Sequence, residues 1–427
     1  MASPEGQSKS PLTVLNHRQF RLLFLGTTLS MLAFGMMQVV QGVVAFDLTG
    51  KNGSVGFVYL GQGFAMLILS PIGGTLSDRV SKKKMLTMAQ FVIGAMFGVV
   101  GLLIATGLIT ILLLAAGALI LGCMFSMMGP TRQAWVGDLL TGEDMAKGVA
   151  LQQLMMNVTR IFGPIIATAL IATSLIGTHG TYFVMAALFG AVVLTLMLMD
   201  PTPPRTRTVK TSVRADLVEG FSYIWRTPDV RLLAFVFVGV VLSAFTYQTI
   251  MPGYLVNVLD HPTTHLGFLF TATALGGIVV NLWLAARPAR NSIGLMLAFG
   301  AALSVSLALL AVAPGFIPAI LAAALIGVSS SGFQMLNNVS LMERTDGPYL
   351  GRVMAVTMMA FGVNSIASYP VGLIADAAGE RATLAGLACA CMAVVSVGML
   401  ALRSKNAAAM AASRAPVEPG LSSPRSR

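Results

Sequence analysis

The sequence is short of charge, of acidic residues and of cysteine. Charged side chains make up 10% of the 427 residues, only 16 residues are acidic, and three are cysteine. A typical soluble domain carries about 25% charged residues, so this composition argues against one. Three cysteines cannot form a disulfide framework, and we expect Cys123, Cys389 and Cys391 to be free thiols.

Patterns that support catalysis or tight cofactor binding are also missing from the sequence. It contains no nucleotide phosphate loop, no zinc-ligand spacing and no nucleophile–base triad. We therefore predict no enzymatic activity, no metal site and no cofactor. The missing phosphate loop also argues against a pump driven by ATP.

Apolar residues, in contrast, are abundant and fall in long runs. They make up 56% of the chain, and the mean hydropathy is +0.82. A helix needs about 20 residues to cross the hydrocarbon core of a bilayer, and backbone polar groups in lipid must be bonded internally. Runs of this length lie near 20–46, 55–77, 84–106, 109–130, 148–173, 180–199, 231–253, 265–286, 292–313, 316–340, 351–375 and 382–402. We predict an all-α integral membrane protein with twelve transmembrane helices.

The basic residues indicate how these helices are oriented. If the twelve runs alternate in direction, only Lys51 and Arg381 fall on one side, and the other basic residues group on the opposite side. The positive-inside rule then places both termini in the cytoplasm of a multi-pass protein of the plasma or inner membrane. The net charge of +11 lies in short loops. Anionic lipid of the inner leaflet is thus the expected partner, rather than nucleic acid.

The chain divides into two halves of six spans. We predict an N-terminal half over 1–199, a cytoplasmic linker over 200–230 that turns helical near 213–225, a C-terminal half over 231–403 and a disordered basic tail over 404–427. Gly148-Val149-Ala150, which opens span 5, resembles Gly351-Arg352-Val353, which opens span 11. Such six-span repeats are typical of transporters, with the cargo site between the halves. We expect a monomer.

One charged loop carries a family resemblance. The segment 73–84 reads GGTLSDRVSKKK, and it resembles the signature loop between helices 2 and 3 of the major facilitator superfamily, with Ser81 in place of the usual glycine. The resemblance implies that Asp78 contacts the start of helix 11 near Gly351, where helical N–H groups favour an anion. Arg79 would join Asp138 or Glu143. The predicted gating residues are Gly74, Asp78, Arg79, Asp138, Gly351 and Arg352.

Further short motifs resemble one branch of that superfamily. They are Asp47-Leu-Thr-Gly, Pro130-Thr-Arg132-Gln-Ala134, Asn157-x-x-Arg160-x-x-Gly163-Pro164 and Gly351-Arg352-Val353. Together they resemble the branch that holds the enterobactin exporter and macrolide-efflux proteins. This resemblance implies export and proton antiport. The composition itself places no carboxylate clearly at mid-depth, so Asp47 or Asp376 would be the nearest candidate for titration.

Polar side chains inside the spans are the candidates for a cargo site, because burying them in a membrane is costly unless they serve a function. Arg160 lies about 18 Å into span 5, near the midplane. The candidates are Gln38, Gln41, Asn157, Arg160, Tyr247, Gln248, Gln334, Asn337 and Asn364. Arg160 would bind an anionic group of the cargo or take part in coupling; alternatively it is a structural cation. Alternatively, the amides form hydrogen bonds between helices.

The sequence therefore predicts a secondary active transporter that exports a small hydrophobic or amphiphilic, drug- or siderophore-like molecule by alternating access, coupled to protons. One alternative keeps the fold but takes up a specific solute or flips a lysolipid. Another, from a different class, is a membrane receptor or scaffold without transport activity.

Overall fold

The computed structural model describes residues 11–77, 81–140, 143–200, 213–286 and 292–414. Within these ranges it contains twelve helices that are long and apolar enough to cross a membrane, and no strand. We number them α1 (Arg18–Asp47), α2 (Asn52–Ser77), α3 (Lys82–Ala105), α4 (Ile111–Leu139), α5 (Glu143–Ala172), α6 (Gly177–Met197), α7 (Pro228–Ala244), α8 (Leu266–Ala285), α9 (Ser292–Val312), α10 (Phe316–Arg344), α11 (Gly347–Ala378) and α12 (Glu380–Arg414). The predicted all-α membrane fold is confirmed.

The two halves repeat one packing scheme. In the first half α1 packs against α5 and α6, α2 against α4, and α3 against α4 and α6. In the second half the corresponding helices do the same: α7 contacts α11 and α12, α8 contacts α10, and α9 contacts α10 and α12. The six-helix pseudo-repeat is thus confirmed in three dimensions, although few residues are identical between the halves.

Because successive helices run in opposite directions, the bundle has two ends. We call the end that holds the starts of α1, α3 and α11 the terminus face, and the end that holds their last residues the far face. The short far-face turns use glycine where φ is positive, as at Gly50 and Gly379, with φ of 66° and 87°. Glycine adopts this conformation without a steric penalty, so the chain can reverse within a few residues.

The outer surface of the bundle is apolar. Large side chains such as Phe91, Leu112, Leu282, Leu321 and Leu400 point outward and are exposed. In water such a surface would promote aggregation, whereas in a bilayer it matches the hydrocarbon. The exposed apolar residues therefore agree with the multi-pass membrane architecture.

The linker contains a helix, as the sequence predicts. The linker helix spans Val213–Arg226 and is followed at once by α7. The C-terminal region differs from the expectation of a disordered tail beginning at 404, since α12 continues to Arg414. The stretch Asn406–Arg414 contains five alanines, and alanine has the highest intrinsic helix propensity, so the helix extends past the apolar run. Residues 415–427 lie outside the described ranges.

Candidate functional site

A cavity of about 320 Å³ lies between the two halves. Its wall comes from α1 and α5 of the first half, and from α8, α10, α11 and the turn after α7 of the second. The lining residues are Gln38, Asn157, Arg160, Pro164, Phe245, Gln248, Phe270, Thr273, Ala274, Gly277, Ile278, Asn281, Ser330, Ser331, Gln334, Phe361 and Asn364. A volume of this size is that of a small-molecule site.

Helix α8 gives the cavity its length. The lining residues Phe270, Thr273, Ala274, Gly277, Ile278 and Asn281 follow the spacing of one helix face. Phe270 lies one turn from the far-face end of α8, and Asn281 lies one turn from its terminus-face end. The cavity therefore extends about 16 Å along the bundle axis and covers the middle of the membrane.

A close helix crossing positions the first-half wall. A Cβ built on Gly163 of α5 would lie 2.8 Å from the Cα of Gly35 in α1, so the two backbones nearly touch at this point. Small residues permit this approach inside a membrane. Gln38 lies about one turn from Gly35, and Arg160 lies about one turn from Gly163. The crossing thus brings the polar side chains of two helices to one side of the cavity.

Arg160 lies near the centre of its span, Lys147–Ala172, and its side chain is open to the cavity. No ion pair or side-chain hydrogen bond joins it to another residue within the described ranges. The side chain of this residue therefore remains available for a ligand. Pro164 sits four residues later inside α5 and has no N–H, so the carbonyl of Arg160 also lacks its helical donor.

The structure brings together six of the nine predicted cavity residues: Gln38, Asn157, Arg160, Gln248, Gln334 and Asn364. Gln41, Tyr247 and Asn337 are instead buried among helices outside the cavity. Gln41 is three residues from Gln38, a rotation of about 60°, and this turns it toward Met96 and Tyr182 within the first half. Tyr247 and Gln248 lie in a tight 3-10 turn after α7, where adjacent side chains diverge.

Several lining residues were not anticipated from the sequence. Phe245, Phe270 and Phe361 supply the aromatic part of the wall, and Thr273, Asn281, Ser330 and Ser331 add polar groups. Only Asn281 carried a usable signal, because it is an amide within a span. Phenylalanine and serine are frequent in transmembrane helices, so their presence alone does not distinguish a cavity from a packed interface.

A carboxylate on α11 joins the two halves at the far face. Asp376 accepts hydrogen bonds from the backbone N–H groups of Asn52 (2.7 Å) and Gly53 (2.8 Å) at the start of α2. A carboxylate in this position is stabilised by the helix dipole as well as by the hydrogen bonds. We call this contact the far-face latch.

Three further hydrogen bonds lie at the same face as the far-face latch. The amides of Asn52 and Asn257 both donate to the carboxylate of Glu380, at 3.0 and 2.6 Å, and Thr263 donates to Asp47 across the halves at 3.0 Å. Asp47, Asp376 and Glu380 each accept hydrogen bonds from other segments of the chain. The polar groups at the far face are therefore used to hold the halves together.

Glycines along α2 bring α11 equally close. A Cβ on Gly56 would lie 2.4 Å from the carbonyl oxygen of Ser368, and one on Gly63 would lie 2.7 Å from the carbonyl oxygen of Gly362. Real Cβ atoms do not approach backbone this closely, so any larger residue would force the helices apart. We call this line of contact the α2–α11 seam. It joins the halves from the far face to about the middle of the membrane.

The predicted gating residues at the terminus face are only partly described. Asp78 and Arg79 lie outside the described residues, and Gly74 is placed only as part of α2. Asp138 forms an ion pair with Lys82 at the start of α3. Lys83 donates to the carbonyl of Met197 at 2.9 Å, so two lysines of the signature loop have protein partners as well as the topological role expected for them.

The start of α11 differs from the expectation at Gly351. The helix begins four residues earlier, at Gly347, and the N–H groups of Tyr349 and Leu350 in its first turn donate to the carbonyl of Asp346. Arg352 is held by the linker helix, where Glu219 accepts its hydrogen bond at 2.7 Å. Gly347 can start a helix because Pro348 occupies its second position, and proline is favoured in a first turn.

Changing the far-face latch should alter which face of the cavity is accessible. We expect Asp376→Asn to remove the charge that α2 favours and to raise far-face opening roughly three- to tenfold. The measurement is the labelling rate of Gln334→Cys, in a chain without its native cysteines, by an impermeant maleimide added at the far face. Asp260→Asn, an exposed carboxylate at the same face, is the matched control. An unchanged rate in Asp376→Asn would show that the latch does not hold the halves together.

Comparisons with known proteins agree with this architecture. The model of the Major Facilitator Superfamily matches residues 23–368. The enterobactin exporter EntS of Escherichia coli O1:K1 / APEC is 27% identical over 342 residues, which cover 79% of this chain and 80% of that protein. EntS of Shigella boydii serotype 18 is also 27% identical over the same shares.

Solved structures share the fold at low sequence identity. A nucleoside transporter, NupG in its D323A mutant, has a TM-score of 0.76 with 14% identity, over 90% of this chain and 99% of that one. A bacterial homolog of the human lysosomal transporter Spinster, in an inward-facing and unoccupied conformation, has a TM-score of 0.68 with 13% identity, over 97% and 100%. The paired six-helix halves, the cavity between them and the family match over most of the chain lead to one conclusion: this protein belongs to the Major Facilitator Superfamily and is a multi-pass membrane transporter.

Proposed function

We propose that the protein is a secondary active exporter of a small amphiphilic molecule, and that the cavity between the halves is its cargo site. The observation that carries this proposal is the composition of the cavity wall. Amides, hydroxyls and one guanidinium face the same space as three phenylalanines. A site with both polar and aromatic surface suits a molecule that has both. Export is the activity named for the EntS relatives, and we extend it to this chain.

Alternating access supplies the transport mechanism in this proposal. In this conformation the far-face latch and the α2–α11 seam would block access from the far face to the cavity. Release of cargo at the far face requires these contacts to separate while the terminus face closes. We propose that Asp78 contacts the start of α11 in that closed state, with Gly74, Arg79, Asp138, Gly351 and Arg352 around the contact. With both termini in the cytoplasm, this order of events moves cargo outward.

The proton gradient is the proposed energy source. We propose that protons bind to acids outside the cavity. Within the described ranges no aspartate or glutamate lines it. The nearest acids are Asp47, Asp376 and Glu380 at the far face, each bonded to another segment. We propose that coupling acts through acids that join the halves.

Anionic lipid is the proposed partner of the linker helix. Val218, Phe221 and Trp225 lie on one helix face and are exposed. The opposite side contacts α11: Tyr223 stacks on Tyr349 with ring centroids 4.5 Å apart. A helix with an exposed apolar stripe, next to the start of a membrane span, is suited to the bilayer interface, and its arginines suit acidic headgroups.

An efflux assay tests the proposed function. Cells that express the chain should retain less of a neutral fluorescent amphiphile, such as Nile red, than cells without it. We expect a protonophore to remove this difference. We also expect Asp78→Asn to remove most of this difference while inserting normally, because the carboxylate proposed to contact the start of α11 loses its charge.

Other outcomes of the efflux assay favour the alternatives. Higher retention of one solute in expressing cells would indicate uptake, and transbilayer movement of a labelled lysolipid alone would indicate flipping. A protein that moves no probe, and tolerates changes at Asp78 and Arg160 while still binding a partner, would be a receptor or scaffold. A difference that survives the protonophore would contradict the proton-driven part of the proposal.

A further inference from the structure

Arg160 is the only charged side chain among the described residues that line the cavity. Three other arginines in the described ranges have protein partners. Arg344 pairs with Glu343 at 3.1 Å, Arg352 pairs with Glu219 at 2.7 Å, and Arg381 donates to the carbonyl of Ala313 at 3.1 Å. Arg160 differs from these because no described residue neutralises it or accepts from it.

An unpaired guanidinium in the middle of a membrane protein is costly, and such groups face cavities that serve a function. Arginine is also suited to one kind of ligand. Its planar guanidinium binds a carboxylate or phosphate through two parallel hydrogen bonds. Asn157 lies one turn away on the same helix, and Gln38 lies on the neighbouring helix of the same half. These amides can donate further hydrogen bonds to an oxyanion held by Arg160.

The second half supplies the aromatic part of the wall, beside hydroxyls and amides such as those of Gln334 and Asn364. Phe245, Phe270 and Phe361 all belong to the second half, and they supply apolar surface for a ring or a chain. A cargo molecule that spans the cavity would thus have its charged group toward α5 and its apolar body toward the second half. The 320 Å³ volume limits that body to about the size of a small drug.

We infer that the cargo is a small organic anion, whose oxyanion is bound by Arg160 and whose aromatic or aliphatic body packs against the three phenylalanines. This inference rests on the proposed function and specifies its substrate class. In this inference Arg160 makes the anionic form of a molecule bind more tightly than a neutral form of the same molecule. A neutral form leaves the guanidinium buried without a partner and therefore binds more weakly.

A matched pair of ligands tests the inference on the purified full-length chain in detergent. The probes are dansyl-phenylalanine, which carries a carboxylate, and its methyl ester, which is neutral. We expect the wild-type chain to bind the acid at least roughly tenfold more tightly than the ester, since charged hydrogen bonds have about this effect on affinity. Arg160→Met should bring the two affinities to the same value, and Arg160→Lys should retain part of the preference. Arg381→Met, which changes a cation outside the cavity, should leave the preference unchanged.

Competition identifies the oxyanion. Displacement of the acid probe by decanoate indicates a carboxylate cargo, and displacement by decyl phosphate indicates a phosphate headgroup. Equal binding of acid and ester by the wild-type chain, or a preference that survives Arg160→Met, would overturn the inference. Failure of both probes to bind would overturn it as well. The proposed function is decided separately by the efflux assay, in which dyes that carry no oxyanion can still be exported.

Discussion

Replacing Arg160 by methionine is expected to reduce transport of an anionic amphiphile at least roughly tenfold. Methionine keeps much of the side-chain length and its apolar contacts, so the cavity wall should remain intact while the guanidinium is lost. The loss of a charged hydrogen-bond donor in a protected site costs about 1.5–3 kcal/mol, which corresponds to roughly 10- to 100-fold. The measurement is the initial transport rate in proteoliposomes, divided by the amount of inserted protein.

A lysine variant separates charge from geometry at this position. Arg160→Lys retains the positive charge but cannot form two parallel hydrogen bonds, so its rate should lie between those of wild type and Arg160→Met. The yield and thermal stability of the variants should be similar to those of wild type, because Arg160 has no partner among the described residues to lose. A methionine variant that transports at the wild-type rate would exclude Arg160 from cargo binding.

Replacing Gly56 by valine is expected to abolish most transport, in this case by a steric clash between helices rather than by loss of a cargo contact. A Cβ at this position would lie 2.4 Å from the carbonyl oxygen of Ser368, and backbone cannot yield as a side chain can. Overpacking of this kind costs about 1–3 kcal/mol. Because α2 and α11 touch only when the far face is closed, this free-energy cost destabilises the far-face-closed state. We expect less than roughly a tenth of the wild-type rate, together with faster far-face labelling of Gln334→Cys.

Gly190 provides the matched control for this substitution. It also lies within a span, in α6, and a Cβ there meets no atom within 4 Å. Gly190→Val should thus insert and transport as wild type does, although it changes the same residue type to the same larger one. If Gly56→Val were as active as Gly190→Val, close contact along the α2–α11 seam would not be needed to close the far face.

The sequence was sufficient to predict the helices and their arrangement in two halves. Apolar runs of span length define α1 to α12 because lipid requires every backbone group to be bonded within the helix. Boundaries were less certain, since the apolar signal ends before the helix does. At α12 the alanine-rich stretch continues to Arg414, and at α11 the helix starts at Gly347 rather than at Gly351.

The cavity could be predicted only in part. Arg160, Asn157 and Gln38 are conspicuous because polar groups are rare inside spans. Their neighbours Phe270 and Phe361 are not, because an aromatic residue facing a cavity looks the same in sequence as one facing lipid or another helix. The far-face latch was also unpredictable, since it joins Asp376 to Asn52 across more than three hundred residues. Only the packing of the halves brings such groups together.

Transport by this protein depends on one cavity that opens to each face in turn. The most direct test is labelling of Gln334→Cys, in a chain without native cysteines, by an impermeant maleimide added either to sealed right-side-out vesicles or to inside-out vesicles. We predict labelling from the terminus face in the resting protein, and labelling from the far face that increases when dansyl-phenylalanine and a proton gradient are supplied. Labelling from a single face under every condition, with the cargo probe and gradient present, would contradict alternating access through this cavity.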